Sequence, residues 1–171
     1  HDALPIYLYT KTMENSITLC AMADNGTLAV VTEDPGSAAR LRVYSSSMEQ
    51  LLSWSLTIAD GTPLRLAFSP DGQRLAVAAV TVNGGQMVTN FYVVTLAQGD
   101  PLLVGSGSGA AQWLSWTGSQ SILTACDSRA VLYNASGGER AAYDFTGQAL
   151  RDISVDASGN TALLLASGQL C

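Results

Sequence analysis

A strand–turn–strand pattern that occurs four times constrains this 171-residue chain more than any other feature. The four copies cover residues 18–32, 64–78, 112–125 and 151–166. Their turn glycines are Gly26, Gly72, Gly118 and Gly159, which recur after 46, 46 and 41 residues. A period of this length is typical of repeat arrays, and four short strands per unit favour a β-propeller. We therefore predict an all-β fold built from β-propeller blades, each a four-stranded antiparallel sheet.

The units around these turns divide the chain into a single partial β-propeller domain over residues 1–171. We expect about three complete blades and partial blades at both ends. The complete units are predicted over residues 17–57, 64–104 and 112–145, and an incomplete one over 150–171. Residues 6–13, IYLYTKTM, are predicted to form one outer strand of a preceding blade. The low-complexity stretch GSGSGAA (105–111) is expected to be an inter-blade loop, since it lies between an outer strand and the next inner strand.

Counting back from the turns gives sets of equivalent positions. One set is expected to pack between blades: Cys20, Leu66, Trp113 and Ile153. The set one residue earlier is expected to face the central channel: Leu19, Arg65, Gln112 and Asp152. Propellers often bind ligands at the axial opening, so the polar members Arg65, Gln112 and Asp152 are the ligand-binding candidates. An internal ion pair or a solvated rim is the alternative, and a one-residue offset near Gly118 leaves the register of the third unit open.

Charge and hydropathy exclude several classes of function. The net charge is −6, and Lys11 is the only lysine. Such a surface repels phosphate, so nucleic acid is not an expected partner. No apolar run approaches the ~18 residues of a membrane-spanning helix. Residues 1–10 do not have the pattern of a signal peptide, although a signal or anchor could lie outside this sequence.

Few residues of the chain are suited to catalysis or metal binding. The only histidine is His1, so a Ser–His–Asp or Cys–His arrangement and a zinc site both lack support. The cysteines, Cys20, Cys126 and Cys171, do not have the spacing of metal ligands. Cys20 and Cys126 lie in apolar strand patterns and are expected to be buried free thiols. We predict no catalytic residue, metal or cofactor.

The acidic residues mostly lie in turns. Glu33 and Asp34 are adjacent, and a solvated turn is a more natural interpretation than a metal or acid–base pair. Asp24 and Asp71 precede turn glycines and are expected to bind their own turn backbone. The segment SVDASGNT (154–161) is similar to the Asp-box turn of sialidase-type propellers, with one extra residue and no closing aromatic. Asp boxes are structural, so this similarity does not imply sialidase activity.

Three tryptophans could stack on a sugar: Trp54, Trp113 and Trp116. Trp113 is expected to be blade-packing core. Trp54 lies on an outer strand, and Trp116 is expected on the face opposite Trp113 or near the turn.

The segment LAFSPDGQRLAV (66–77) resembles the inner hairpin of WD40-like and TolB-like propeller blades. Longer strings, among them AMADNGTLAVVTED (21–34), LRLAFSPDGQRLAVAAVTVNGG (64–85) and NFYVVTLAQGDPL (90–102), resemble a bacterial propeller-like family of unknown function. The resemblance implies an extracytoplasmic propeller, anchored through an N-terminal membrane segment that this sequence lacks. It also implies that the chain holds part of a ring, and it transfers no catalytic residues.

Three functions remain open from the sequence. The first is a non-enzymatic scaffold or binding module that contacts a protein or a glycan through its loops. The second is a glycan-active hydrolase or lyase that uses acidic residues and Arg65. The third is a purely structural module that self-associates to complete the ring, with residues 6–10 completing a blade of the partner.

Overall fold

The computed structural model describes residues 10–156 and 158–171, which form strands joined by turns and loops. The first sheet contains β1 (Ile17–Met22), β2 (Leu28–Thr32), β3 (Ala39–Tyr44) and β4 (Gln50–Leu56). The second contains β5 (Thr62–Phe68), β6 (Arg74–Asn83), β7 (Gln86–Thr95) and β8 (Pro101–Ser108). The third contains β9 (Trp113–Thr117), β10 (Ser121–Ala125), β11 (Arg129–Asn134) and β12 (Glu139–Asp144). The last contains β13 (Leu150–Val155) and β14 (Thr161–Leu165).

Each sheet is an antiparallel meander whose strands follow their order in the sequence. We call the four sheets blades 1 to 4. Blades 1 to 3 have four strands each, and blade 4 has β13 and β14 with an isolated bridge from Leu164 to Leu170. The prediction of an all-β fold of four-stranded propeller blades is therefore confirmed.

The outer strand predicted at residues 6–13 is not formed in the part of this segment that the structure describes. Residues 6–9 lie outside the described part of the chain, and residues 10–13 are not in a strand. Lys11 and Met13 instead contact Tyr44 on the face of blade 1 that points away from blade 2. The Lys11 ammonium lies 4.2 Å from the centre of the Tyr44 ring, and the Tyr44 hydroxyl lies 3.9 Å from the Met13 sulfur.

The core consists of three apolar layers, each between two consecutive blades. Leu41 and Val43 of blade 1 meet Leu75 and Val77 of blade 2, and all four are fully buried. Because alternate side chains of a middle strand face opposite neighbours, β10 is buried along its whole length. Strands buried on both faces leave little room for charge, which explains why only 13% of the residues are charged.

The structure corrects the predicted register of blade 3. Leu114 and Trp116 face blade 2, whereas Trp113 faces blade 4. Leu114 is therefore the equivalent of Leu66 and Ile153, and the assignment of Trp113 to that set is wrong. Gly118 is the first residue of the turn between the paired residues Thr117 and Ser121, whereas Gly26 is the last residue of the turn between Ala23 and Thr27. Counting back from the glycine therefore misplaces blade 3.

The prediction of a loop at residues 105–111 is wrong for its first half. Gly105 and Gly107 lie within β8, which continues to Ser108. A side chain at Gly105 would overlap the Tyr133 ring of blade 3, and one at Gly107 would overlap the Cys126 sulfur. The glycines are needed for close packing of two blades rather than for flexibility.

Candidate functional site

A β-bulge at the start of three inner strands positions the residues predicted to face the channel. The pairing shifts between Ile17 and Leu19, between Pro63 and Arg65, and between Leu150 and Asp152. Leu19, Arg65 and Asp152 each follow the unpaired residue, so the bulge places them equivalently on their blades. Leu19 packs against the core between blades 1 and 2, so the prediction that it faces the channel is wrong. In blade 3 the residue at this position is Trp113, which pairs with Ala125. The prediction that Gln112 is equivalent to Arg65 and Asp152 is therefore wrong.

Arg65 and Gln112 come together at the junction of blades 2 and 3. The Nε of Arg65 donates a hydrogen bond of 2.9 Å to the carbonyl oxygen of Ala111. The amide of Gln112, the next residue, lies 3.4 Å from a carboxylate oxygen of Asp127. Arg65 is exposed and thus joins two blades while its guanidinium remains accessible to solvent.

Asp152 lies apart from that junction, on β13 of blade 4. Its side chain is exposed and accepts a hydrogen bond of 2.9 Å from the backbone N–H of Ile153. Within residues 10–156 and 158–171, no hydrogen bond or ion pair joins Asp152 to Arg65 or Gln112. The structure thus brings two of the three candidates together, and their role in ligand binding stays a prediction.

Asp34 stabilises the connection between β2 and β3. Its carboxylate accepts hydrogen bonds of 2.9 Å from Ser37 and from Arg40, and a guanidinium nitrogen of Arg40 lies 2.8 Å away. The hydrogen bond from Arg40, followed by that from Ser37, lowers the pKa of Asp34 below its ordinary value. Glu33 is exposed, so the two adjacent carboxylates do not act as a pair.

The turn aspartates bind their own backbone. Asp71 accepts hydrogen bonds from the Ser69 hydroxyl at 2.5 Å and the Gln73 N–H at 3.0 Å, and the bond from Ser69 contributes most to lowering its pKa. This prediction is confirmed for Asp71. For Asp24 it is wrong, because Asn25 binds that turn by accepting a hydrogen bond of 3.0 Å from the Thr27 N–H.

The turn that is similar to an Asp box has the same structural role. Asp156 accepts hydrogen bonds of 2.8 Å from the N–H groups of Ser158 and Asn160, and the side-chain bond from Asn160 lowers its pKa most. Across the described ranges, His, Cys, Asp and Glu side chains nowhere gather in a group of three that could hold a metal ion.

The three tryptophans pack between blades. Trp54 contacts Tyr92 edge-to-face, with ring centres 5.1 Å apart. The indole N–H of Trp116 donates to the Ala67 carbonyl at 2.8 Å, and Trp113 packs against the core between blades 3 and 4. The interpretation of Trp113 as core is confirmed. Trp116 lies on the opposite face from Trp113, as predicted, and Trp54 is also occupied by packing.

The cysteines differ from one another. Cys126 is buried as predicted, and desolvation raises the pKa of its thiol to about 11, which makes it a poor nucleophile at neutral pH. Cys20 is exposed, so the prediction that it is buried is wrong. Cys20 lies on the face of blade 1 away from blade 2, and in the part of the chain that the structure describes no further blade covers that face.

A small cavity of about 150 Å³ lies between blades 2 and 3, lined by residues that include Phe91, Thr124 and Tyr133. Its polar groups bind each other: the Tyr133 hydroxyl donates to the Ser106 carbonyl, and the Thr124 hydroxyl donates to the Val131 carbonyl, both at 3.1 Å. The cavity therefore has few free groups with which to orient a ligand.

A larger, apolar groove lies between blades 3 and 4. Its lining residues include Leu132, Ala141, Ala142, Tyr143 and Leu163. All six residues of β12 are exposed, in contrast to the outer strands of blades 1 and 2, which have buried positions. The groove therefore exposes apolar surface that the other described blade junctions cover.

Comparison with solved structures supports the fold. TolB from Acinetobacter baumannii matches with a TM-score of 0.59 at 19% identity, over 87% of this chain and 37% of that chain. The β-propeller domain of the Trilobed protease from Pyrococcus furiosus matches with a TM-score of 0.59 at 10% identity, over 91% of this chain and 56% of that one. BamB from Moraxella catarrhalis matches with a TM-score of 0.54 at 14% identity, over 91% and 41% respectively.

These likenesses establish a β-propeller fold, and this chain spans 37% to 56% of the three proteins compared. No curated protein matches the sequence. Among the described residues there is no helix with the length and hydrophobicity required to cross a membrane. A family model described as a family of unknown function, DUF5711, matches residues 7–96, which is more than half of the chain. The chain thus belongs to the family of unknown function DUF5711.

Proposed function

We propose that the protein is a non-enzymatic scaffold that presents the surface of its propeller blades to a protein partner. The supporting observation is that side chains suited to catalysis or ligand binding are engaged in contacts within the protein itself. Asp34, Asp71 and Asp156 bind their own turns, and Trp54 and Trp116 pack between blades. Side chains engaged in this way stabilise the blades. A protein partner would then be recognised through the shape, apolar area and charge of the blade surface.

A glycan-active enzyme is the alternative, and it requires carboxylates from different units to converge on one sugar ring. The acidic residues considered for that role are Glu33, Asp127 and Asp152. They belong to blades 1, 3 and 4, and all three are exposed. Arg65, the cation assigned to that mechanism, is engaged with the Ala111 carbonyl.

A screen of enzymatic activity tests the scaffold proposal. The protein would be assayed with nitrophenyl glycosides, nitrophenyl esters, a lactone and a uronic-acid polymer, and a glycan array would test sugar binding. We expect no turnover above that of heat-inactivated protein. Turnover that Arg65→Gln or Asp152→Asn abolishes, and that the exposed control Arg151→Gln retains, would overturn the proposal. The Arg65 and Asp152 variants also test the prediction that these residues bind a ligand.

Self-association is a second candidate function, favoured by the apolar groove between blades 3 and 4. A second copy that covers this groove would bury Tyr143 and the alanines of β12, which are exposed in the single chain. The partner would then be another copy of the chain, and the assembly would cover the apolar groove. This candidate also agrees with the role expected for residues 6–10, which lie mostly outside the described ranges.

We also propose an extracytoplasmic location in a bacterium. The support is the resemblance of the sequence to bacterial extracytoplasmic propellers. Fusion of the complete gene product to a reporter that is active only outside the cytoplasm would test this. Activity of the reporter is the expected result, and a reporter active only in the cytoplasm would contradict it.

A further inference from the structure

The hairpin of β6 and β7 is longer than its counterparts and projects from blade 2. Both strands have ten residues, whereas β2 and β10 have five and β3 and β11 have six. β5 pairs with β6 only as far as Val80, and β8 pairs with β7 only as far as Val88. The pairs Val82–Met87 and Asn83–Gln86 therefore extend beyond both neighbouring strands, by roughly 7 Å at about 3.3 Å per residue.

Apolar side chains concentrate around this projecting tip. Val82 is 69% exposed and Met87 is 52% exposed, and they lie directly opposite each other, so they share one face of the hairpin. This face continues the side that packs against blade 3, because Ala76 and Ala78 of the same strand pack there. Ile58, in the loop between β4 and β5, is 81% exposed but lies on the opposite face, where its carbonyl accepts a hydrogen bond of 2.8 Å from the Thr81 hydroxyl. We call Val82 and Met87 the hairpin patch. Exposed apolar residues clustered on a projecting element indicate an interaction site rather than scattered surface.

The base of the hairpin is held on both sides. On the side of blade 1, the Asn90 amide donates to the carbonyls of Ala59 and Asp60 at 3.2 and 3.3 Å. On the side of blade 3, the Gly109 N–H donates to the Met87 carbonyl at 2.9 Å, and the Thr89 hydroxyl donates to the Gly109 carbonyl at 2.7 Å. A tip anchored in this way loses little conformational entropy on binding, which favours its use as a docking element.

Carboxylates flank the hairpin patch on both sides. Asp60 accepts a hydrogen bond of 3.3 Å from the Tyr92 hydroxyl on the side of blade 1. Asp127 lies against Gly109 on the side of blade 3, where a side chain on that glycine would overlap its carboxylate. Arg65 and Arg129, the arginines of the same junction, already bind the Ala111 carbonyl and Glu139. With a net charge of −6 for the chain, the surroundings of the patch favour a cationic partner.

We propose that the hairpin patch docks a protein partner through an extended segment that alternates apolar and basic residues. An extended segment fits the β6 edge of the tip, which has no neighbouring strand beyond Val80, whereas the Met87 carbonyl on the β7 edge already binds Gly109. An added strand places alternate side chains on opposite faces, so the apolar ones would pack on Val82 and Met87 and the basic ones would approach Asp60 on the other face. The inference rests on the proposed scaffold function and names the surface and the class of partner that this function requires.

The test uses the full chain and a defined probe, a fluorescein-labelled peptide of alternating leucine and lysine, with fluorescence anisotropy as the readout. A peptide of alternating leucine and glutamate is the charge-inverted control. The double variant Val82→Ser/Met87→Ser removes the patch, and Leu102→Ser/Leu103→Ser is the matched control, because these leucines are 46% and 51% exposed on β8 of the same blade. Circular dichroism checks that each variant folds, and Ile58→Ser, on the opposite face of the hairpin, is a second control that should bind the peptide as the native protein does.

We expect the leucine–lysine peptide to bind about tenfold more weakly to the patch variant than to the native protein, and less than about twofold more weakly to the β8 control. Equal affinity for the patch variant and the β8 control, or equal binding of both peptides, would overturn the hairpin inference and leave the scaffold function intact. Hydrolytic turnover in the activity screen would instead overturn the scaffold function. Co-sedimentation of the protein with phosphatidylcholine vesicles, lost in Val82→Ser/Met87→Ser, would replace the protein partner by a membrane surface.

Discussion

Gly105 and Gly107 show how single residues control the contact between two blades. Both lie in β8 where Tyr133 and Cys126 of blade 3 approach the backbone so closely that a β-carbon would overlap them. The sequence alone predicts an inter-blade loop at this point. The requirement for glycine is set by Cys126 and Tyr133, which lie 19 and 28 positions further along the chain than the glycines they contact, and a local pattern does not contain them.

Substitution of one of these glycines tests the close contact. We predict that Gly105→Ala lowers the free energy of unfolding by about 1–3 kcal/mol, because the added methyl group must displace the Tyr133 ring. Urea denaturation followed by fluorescence measures this change. Ser106→Ala, on the exposed neighbour, is the control and should cost less than about 1 kcal/mol. Equal stability of the native protein and Gly105→Ala would contradict the packing described for β8.

The turn aspartates predict a loss of stability in acid. The folded-state pKa of Asp71 lies below its ordinary value of 3.8, mainly because the Ser69 hydroxyl donates a hydrogen bond to the carboxylate. A lowered folded-state pKa gives stability that is present above about pH 4 and is lost as the pH falls through the folded-state value. Asp71→Asn should therefore show a smaller difference in melting temperature between pH 7 and pH 3. An unchanged difference would mean that the Ser69–Asp71 hydrogen bond does not stabilise the folded chain.

At the scale of strands and turns, the repeat predicts which segments form strands, whereas the position of the glycine within each turn decides how the register is counted. Gly118 is the first residue of its turn and Gly26 is the last residue of its own, so Leu114 rather than Trp113 faces blade 2. This change also separates Gln112 from the set that contains Arg65. Sequence reasoning missed the projecting hairpin for a similar reason. Its signal, an unusually long apolar run ending in Asn83-Gly84-Gly85, is visible only by comparing strand lengths between units.

Shortening the hairpin tests its role as an accessory element. Replacement of residues 82–87 by Asn-Gly would join the paired residues Thr81 and Val88 through a tight two-residue turn. We expect the melting temperature to stay within about 5 °C of the native value, because the removed residues contribute exposed rather than core side chains. The leucine–lysine peptide should no longer bind. A shortened protein that unfolds, or that binds the peptide as before, would contradict the accessory role.

At the scale of the whole molecule, the alternation of blades and apolar layers follows directly from the repeat and could be predicted from the sequence. The predicted site could not, because recognition depends on which polar groups the fold leaves free. Arg65 was singled out for a channel, but its contact with Ala111 depends on the loop that enters blade 3. A repeat pattern encodes the contacts that recur, whereas a binding surface is formed where one unit differs from the others.

The apolar groove between blades 3 and 4 gives a prediction about assembly. If a second copy covers the groove between blades 3 and 4, the weight-average mass in sedimentation equilibrium should rise with protein concentration. Ala141→Glu, which places a charge on the exposed face of β12 that points toward blade 4, should keep the protein monomeric. Arg140→Glu, at the start of the same strand, is the control for a general effect of added negative charge. A native protein that is monomeric at millimolar concentration would remove self-association as a candidate.

Hydrogen–deuterium exchange with and without the leucine–lysine peptide tests the central claim, a rigid propeller scaffold that binds through the hairpin patch, most directly. The account predicts slower exchange in residues 57–60 and 81–89 when the peptide is bound, and unchanged exchange in the buried strands β2 and β10. Protection confined to another surface, such as the inner edge around Arg65, would contradict the claim.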